Sequence, residues 1–303
     1  MIWRVAKDAV TGFFAHDDLS RGASIAYFTL FALVPVLLLV IAVAGAVFGR
    51  EAAQGAIVAQ LSGLMGVKTA DALQDMIKSA SQPASGGIAA WMGIVAILLA
   101  ASGVFGEVQA GLNQVWQTKP RTSGLSRLMR VRLFSLSLVL ISGFLLMVSL
   151  AVSAGLAAWS KFLIAHFPAA GVMVQAVDFL TSGLLMAGMF AAIYKILPDT
   201  PIAWRDVVVG SLVTTGLFVA GKYAIALYIG QSDVASSFGA ASALIVLLLW
   251  IFFSAQIFLL GAEFTRAYAQ RCGSHADEAS PENREKNMVS PQASPGRASA
   301  RGI

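Results

Sequence analysis

The chain is poor in charge, has few histidines and carries a single cysteine. Charged residues make up 12% of its 303 positions, about half the roughly 25% usual in a soluble domain. A water-facing globule of this composition would lack polar surface, so that class is excluded. The lone Cys272 rules out an internal disulfide and any thiolate-built metal cluster, and it leaves the redox compartment open. His16, His166 and His275 are far apart in sequence, and no HxxxH or paired-Asp pattern occurs. Phosphodiester hydrolysis usually needs carboxylates or histidines holding metal ions about 4 Å apart. No such ligand set is visible, so neither an enzyme nor a resident cofactor or metal is expected.

The chain is rich instead in long apolar runs, with 57% hydrophobic residues. A helix needs about 20 such residues to cross a hydrocarbon core. Six runs qualify: 25–48, 88–105, 133–159, 172–197, 207–229 and 240–263. They lack the alternation of barrel strands, and a spanning backbone must satisfy its own polar groups, so helices are predicted. The fold class is all-α, a polytopic membrane protein of six spans with amphipathic interfacial helices. The first run is too long for the h-region of a cleavable signal, about 7–15 residues.

The net charge of +5 is spread over short segments between the runs and forms no single stripe, which argues for membrane topology and against a nucleic-acid partner. Arg4, Lys7 and Arg21 precede the first span, and Lys119, Arg121, Arg127, Arg130 and Arg132 follow the second. Lys195 and Arg205 lie between the fourth and fifth, and Arg266 and Arg271 follow the sixth. The other loops are poorer in cations, so both termini are expected in the cytoplasm.

Three domains follow. Residues 1–24, with Trp3, Val5, Ala9, Val10, Phe13 and Phe14, read as an amphipathic helix on the cytoplasmic interface that turns into the first span near Ser20–Gly22. Residues 25–268 form the six-span domain. Its external loop, 49–87, contains Ile57, Val58, Leu61, Leu64 and Met65, then Leu73, Met76 and Ile77, at helical spacing. Two short amphipathic helices are predicted there, either capping the bundle or acting as a lid. Residues 269–303 have too few apolar side chains to offset ordering and are expected to be a disordered cytoplasmic tail.

Ionisable groups in spans are costly and mark function by default. Lys222 and Asp178 both fall roughly 12 Å below the outer ends of their spans, at 1.5 Å per residue, and could pair across a polar cavity or stay apart in the wet head-group region. Glu107 and Glu263 end the second and sixth spans at the inner side, near Gln109, Asn113 and Gln256. Bonded to cations such as Arg21 or Arg266, they read as a structural clamp; the sharper reading is a proton or head-group site. Pro35, near the middle of the first span, removes one backbone bond and displaces the carbonyl of Phe31, with Tyr27 and Thr29 on the cytoplasmic half. It is read either as a static kink or as a hinge in a cavity wall. Gly45 and Gly49 form a GxxxG pair, and Gly210, Gly216 and Gly221 lighten the fifth span for close helix approach. Trp250, mid-span, is expected to pack on another helix.

Three stretches carry a family resemblance: ASIAYFTLFALVPVLLL, GVFGEVQAGLNQVW, and the last third from YKILPDTPIAWRDVVVG to LLLWIFFSAQIFLLGAEFTRAYA. Over about residues 13–270 the chain resembles the YihY/BrkB group of bacterial inner-membrane proteins, once labelled ribonuclease BN. The resemblance marks Tyr27, Pro35, Asn113, Trp116, Pro198, Gly210, Lys222 and Tyr228, then Gly239, Trp250, Gln256, Gly261 and Glu263. Ala32 departs from it, standing where the family often has Ser. It implies six spans with both ends inside, links to envelope integrity and a proposed role in lipid export.

The expected function is transport or flipping of a lipid or other amphiphile, with membrane lipids as partners and anionic head groups drawn to the basic loop 119–132. The alternative is a non-transporting scaffold for envelope integrity. No Walker motif is present, so transport would be passive or ion-coupled. The candidate cavity residues are Tyr27, Pro35, Glu107, Asn113, Asp178, Lys222, Gln256 and Glu263.

Overall fold

The computed structural model describes residues 1–65, 67–80, 103–118, 148, 155, 170–231 and 242–274. Their regular structure is helical, with no strand among the described residues: α1 (Ile2–Ala15), α2 (Asp18–Phe48), α3 (Arg50–Met65), α4 (Val67–Ala80), α5 (described over 103–115), α6 (Ala170–Ile196), α7 (Trp204–Gln231) and α8 (Ser242–Arg271). Four stretches are long and apolar enough to cross a membrane: Asp18–Ala42, Phe179–Ile196, Trp204–Tyr228 and Leu244–Arg271. They match the first, fourth, fifth and sixth expected spans. The third expected span, apart from residues 148 and 155, and all but the end of the second lie outside the described residues, as do the basic loop 119–132 and the tail from His275.

The turn between α1 and α2 falls at His16–Asp17, not near Ser20–Gly22. Asp17 adopts a left-handed conformation, φ 59° and ψ 36°. Asp is one of the few residues whose short polar side chain makes that conformation tolerable. Gly22 instead sits inside α2, where a larger side chain would run into the Gln256 amide. α8 continues to Arg271, three residues into the segment assigned to the tail.

α2 continues unbroken through Pro35. It ends where the Gly49 amide bonds the Gly45 carbonyl at 3.0 Å and Gly49 takes φ 87°. A Cβ at Gly49 would meet nothing within 4 Å. Gly49 is therefore a helix terminus and not a packing position, while a Cβ at Gly45 would come within 3.1 Å of the Arg50 backbone where the chain turns into α3. Gly210 and Gly221 do mark close approach, lying against Thr265 and Ile257 of α8, whereas Gly216 has no neighbour within 4 Å.

α8 is the central strut, in contact with α1, α2, α4 and α7. The main core brings together Phe13 of α1, Ile25 of α2, Leu112 and Val115 of α5, Phe190 and Tyr194 of α6, Val207 of α7, and Phe258 and Leu259 of α8. Lipid tails are as apolar as these side chains, so packing between spans relies on fit and hydrogen bonds more than on the hydrophobic effect. One such bond links α6 to α8: the Tyr194 hydroxyl donates to the Phe258 carbonyl at 2.7 Å and lies 3.1 Å from Thr214 Oγ1 on α7. Gly261 leaves room for this junction, since a Cβ there would meet Thr214 and the Tyr194 hydroxyl. Trp250 packs edge-to-face on Phe218, ring centroids 6.0 Å apart, as a mid-span tryptophan should.

The helical spacing in the loop after α2 is realised as α3 and α4. Ile57, Leu73 and Ile77 pack against Leu37, Val40 and Ile41 of α2, so the two helices brace that half of the span.

Candidate functional site

Charged and amide side chains gather at the end of the bundle where the α1–α2 turn, the far end of α5 and the last turns of α8 meet. The centre is Glu263, buried on α8 with 2% of its surface exposed. His16 Nδ1 lies 2.5 Å from Glu263 Oε1. Arg266, one turn further along α8, places Nη1 3.6 Å from Glu263 Oε2 and 3.2 Å from His16 Nε2. The Gln117 amide nitrogen is 2.9 Å from the same Nε2. A guanidinium can only donate, and so can an amide nitrogen. His16 Nε2 is therefore set to accept, and Nδ1 presents its hydrogen to Glu263. Gly12 of α1 makes room for this carboxylate, because any β-carbon there would collide with it.

The network continues through α5. Gln114 donates its amide to the His16 carbonyl, and its Oε1 accepts from Arg21 Nε at 3.0 Å and Nη2 at 2.8 Å. Arg21 Nη1 lies 3.4 Å from Glu107 Oε2. A chain of polar contacts thus runs from Glu107 through Arg21, Gln114, His16 and Glu263 to Arg266, crossing α5, α2, the turn and α8. Gly111 admits the Arg21 stem, with a Cβ there only 3.2 Å from Arg21 Cγ.

Two neighbours lack full partners. Asp18 opens α2 and is completely buried, at 0% exposure. Neither of its oxygens has a hydrogen-bond partner among the described residues. Gln256 donates to the Leu19 carbonyl at 3.1 Å, while its buried Oε1 has no partner there. A buried polar group without a partner is uncommon and calls for a role.

Beside this network, Asn113 grips the α6–α7 connection. Its Nδ2 donates to Asp199 Oδ2 at 2.8 Å, and its Oδ1 accepts the Asp199 amide at 2.9 Å. Nearby, Lys195 donates to the Ile202 carbonyl and stands 5.5 Å from the Trp204 ring centroid. Among the described residues no three His, Cys, Asp or Glu side chains converge as a metal site.

Of the sequence-predicted site residues, Glu107, Asn113, Gln256 and Glu263 come together at this one end, and Arg21 and Arg266 are the cations that Glu107 and Glu263 meet. Tyr27 does not turn inward. It is 58% exposed, with its ring 4.9 Å from that of Phe31. Pro35 is half-buried further along α2. Lys222 is half-buried on α7, its ammonium 5.2 Å from the Tyr223 ring centroid. The Asp178 side chain lies outside the described residues, and with it the proposed pairing with Lys222.

Sequence reasoning missed His16, Asp18, Gln114 and Asp199. The pattern HDDLSRG, with a histidine and two acids directly before a long apolar run, was the available signal for the first two. Glu263 and Arg266, at i and i+3, carried the same kind of signal at the end of α8.

A family model described as "Virulence factor BrkB" matches residues 9–287, nearly the whole chain. The chain belongs to this family. BrkB-family relatives include UPF0761 membrane proteins. The one from Rhodospirillum centenum is 28% identical over 267 residues, which are 86% of this chain and 56% of that protein. Another, from Pseudoalteromonas translucida, is 28% identical over 253 residues, 80% of this chain and 78% of its own. A third, from Verminephrobacter eiseniae, is 31% identical over 274 residues, 87% of this chain and 62% of its own. The BrkB-family chain thus spans between about half and three quarters of the length of these relatives. No solved structure matches it. It is a membrane protein of this family. Of the family-marked positions, Glu263 lies in the polar network, Gln256 and Asn113 lie beside it, and Gly261 serves the Tyr194–Thr214 junction one half-turn away on α8.

Proposed function

We propose that this BrkB-family membrane protein is a multi-pass protein of the bacterial inner membrane, with both termini cytoplasmic, that moves a lipid or other amphiphile and so supports envelope integrity. The observation that carries the reading is the buried ionisable network at the α1 end, above all Asp18, which lies near Glu263, Arg21 and Arg266 and has no hydrogen-bond partner among the described residues. Ionisable groups buried within spans, as Asp18 and Glu263 are, are expensive, and membrane proteins keep them chiefly along substrate, ion or proton routes. No nucleotide-binding motif is present in the sequence, so movement is passive or coupled to an ion. The Glu263–His16 contact is a short path along which a proton can pass.

The test is reconstitution of the full chain into liposomes with a leaflet-accessibility assay for labelled phospholipid. Accelerated exchange that falls in Glu263→Gln and in Lys222→Ala, each incorporated as well as wild type, supports transport. Exchange equal to that of protein-free liposomes removes it.

A second reading, a non-transporting scaffold, is favoured by a different observation. Glu107–Arg21, Asn113–Asp199 and Glu263–Arg266 are each satisfied internally. This is how a clamp that only fixes helix ends would be built. Under that reading Glu263→Gln lowers stability while an intact wild type shows no lipid movement.

A further inference from the structure

We propose that α1, together with the end of α8, forms a binding site for the phosphate of an anionic membrane phospholipid. This site is separate from the Glu263 network and does not depend on whether the protein transports anything. Viewed down its axis at 100° per residue, α1 has three faces. Val5, Ala9 and Phe13 are buried; Val5 and Ala9 pack with Ala267, and Phe13 joins the main core. A second apolar strip of Trp3, Val10 and Phe14 is exposed, Trp3 at 82%. Lys7, Thr11 and Arg4 border that strip.

Arg4 and Arg271 line an open surface recess of about 420 Å³ with Met1. Asp8 accepts from Arg271 Nε, which leaves the two terminal nitrogens of that guanidinium without a partner among the described residues. Arg4 is exposed and has no side-chain partner among them.

The level of the site follows from helix length. α8 has 30 residues, about 45 Å at 1.5 Å per residue, against about 40–45 Å for a bilayer including its head groups. Arg271, the last residue of α8, therefore reaches the head-group layer. Asp8 meets Arg271 and Gly12 lies against Glu263, so α1 runs antiparallel beside this emerging end. On α1, Val10 and Phe14 lie on the membrane side of Asp8 and Arg4 lies on its outer side, which suits acyl chains against the first two and phosphate against Arg4 and Arg271. Charge complementarity selects an anionic phospholipid over a zwitterionic one.

The experiment is native mass spectrometry of the detergent-purified full chain, titrated with phosphatidylglycerol, phosphatidylcholine or inorganic phosphate. Wild type should bind phosphatidylglycerol in preference to phosphatidylcholine. Arg4→Gln, an exposed change that leaves the fold intact, should weaken phosphatidylglycerol about fivefold, the usual weight of one cation near an anionic surface. Adding Arg271→Gln should weaken it further. Arg205→Gln, an exposed arginine on α7 outside the recess, should leave binding unchanged. Unaltered binding by Arg4→Gln, an equal loss in Arg205→Gln, or equal binding of the two lipids would each overturn the site. Inorganic phosphate binding as tightly as the lipid would overturn its assignment to a membrane lipid.

Discussion

At the scale of single residues, Asp18 and Glu263 are two buried carboxylates in opposite circumstances. Glu263 sits between His16 and Arg266, so Glu263→Gln leaves the partly exposed Arg266 without its carboxylate and should cost about 1–3 kcal/mol, at or below the order found when one member of a buried pair is removed. Asp18 has no hydrogen-bond partner to lose among the described residues, and an amide is cheaper to bury than an unbonded carboxylate. Asp18→Asn should leave stability unchanged or raise it. Thermal unfolding of the two variants in detergent checks both, and a drop for Asp18→Asn as large as that for Glu263→Gln would show that Asp18 has a stabilising partner. Gly261→Ala should destabilise by about 1–3 kcal/mol, the usual cost of overpacking, because its methyl group would enter the space of Thr214 and the Tyr194 hydroxyl. The same melting assay reads that loss.

At the scale of elements, α8 holds the bundle by a few directed bonds in surroundings that supply little hydrophobic drive. Tyr194→Phe removes the bond to the Phe258 carbonyl and should cost about 1 kcal/mol; a melting point equal to wild type would show that the α6–α8 contact rests on ring packing alone. α2 poses the opposite case. It passes Pro35 without a break, so Pro35→Ala restores a backbone donor to the Phe31 carbonyl and should raise the melting temperature. If the same variant slows lipid exchange in liposomes, the missing bond is a hinge; if exchange is untouched, Pro35 is a static feature.

At the scale of the whole molecule, the α1 end gathers the start of α2, the end of α5, the α6–α7 connection and the end of α8. One side of the protein is polar at its rim, and α3 and α4 brace α2 elsewhere. In the orientation proposed above, the α1 end faces the cytoplasm. Alkaline phosphatase fused after residue 274 should then be inactive, and fused within α3 it should be active. The reverse pattern would invert the protein and move the lipid-phosphate site to the outer leaflet.

The membrane class, the four described spans, the two helices after the first span and the arrival of Glu107, Asn113, Gln256 and Glu263 at one level were legible in the sequence. Hydropathy runs and helical periodicity are local properties, and antiparallel spans joined by short connections set side-chain depth from residue number alone. Only the tertiary structure decided partners and direction. It joined His16 to Glu263 across 247 positions, turned Tyr27 outward, left the Asp18 carboxylate buried with no hydrogen-bond partner among the described residues, and made Gly49 a helix end instead of a packing face. Rotation of each helix about its axis, and the conformation of a single residue such as Asp17, depend on neighbours distant in the chain, and no short stretch of sequence encodes them.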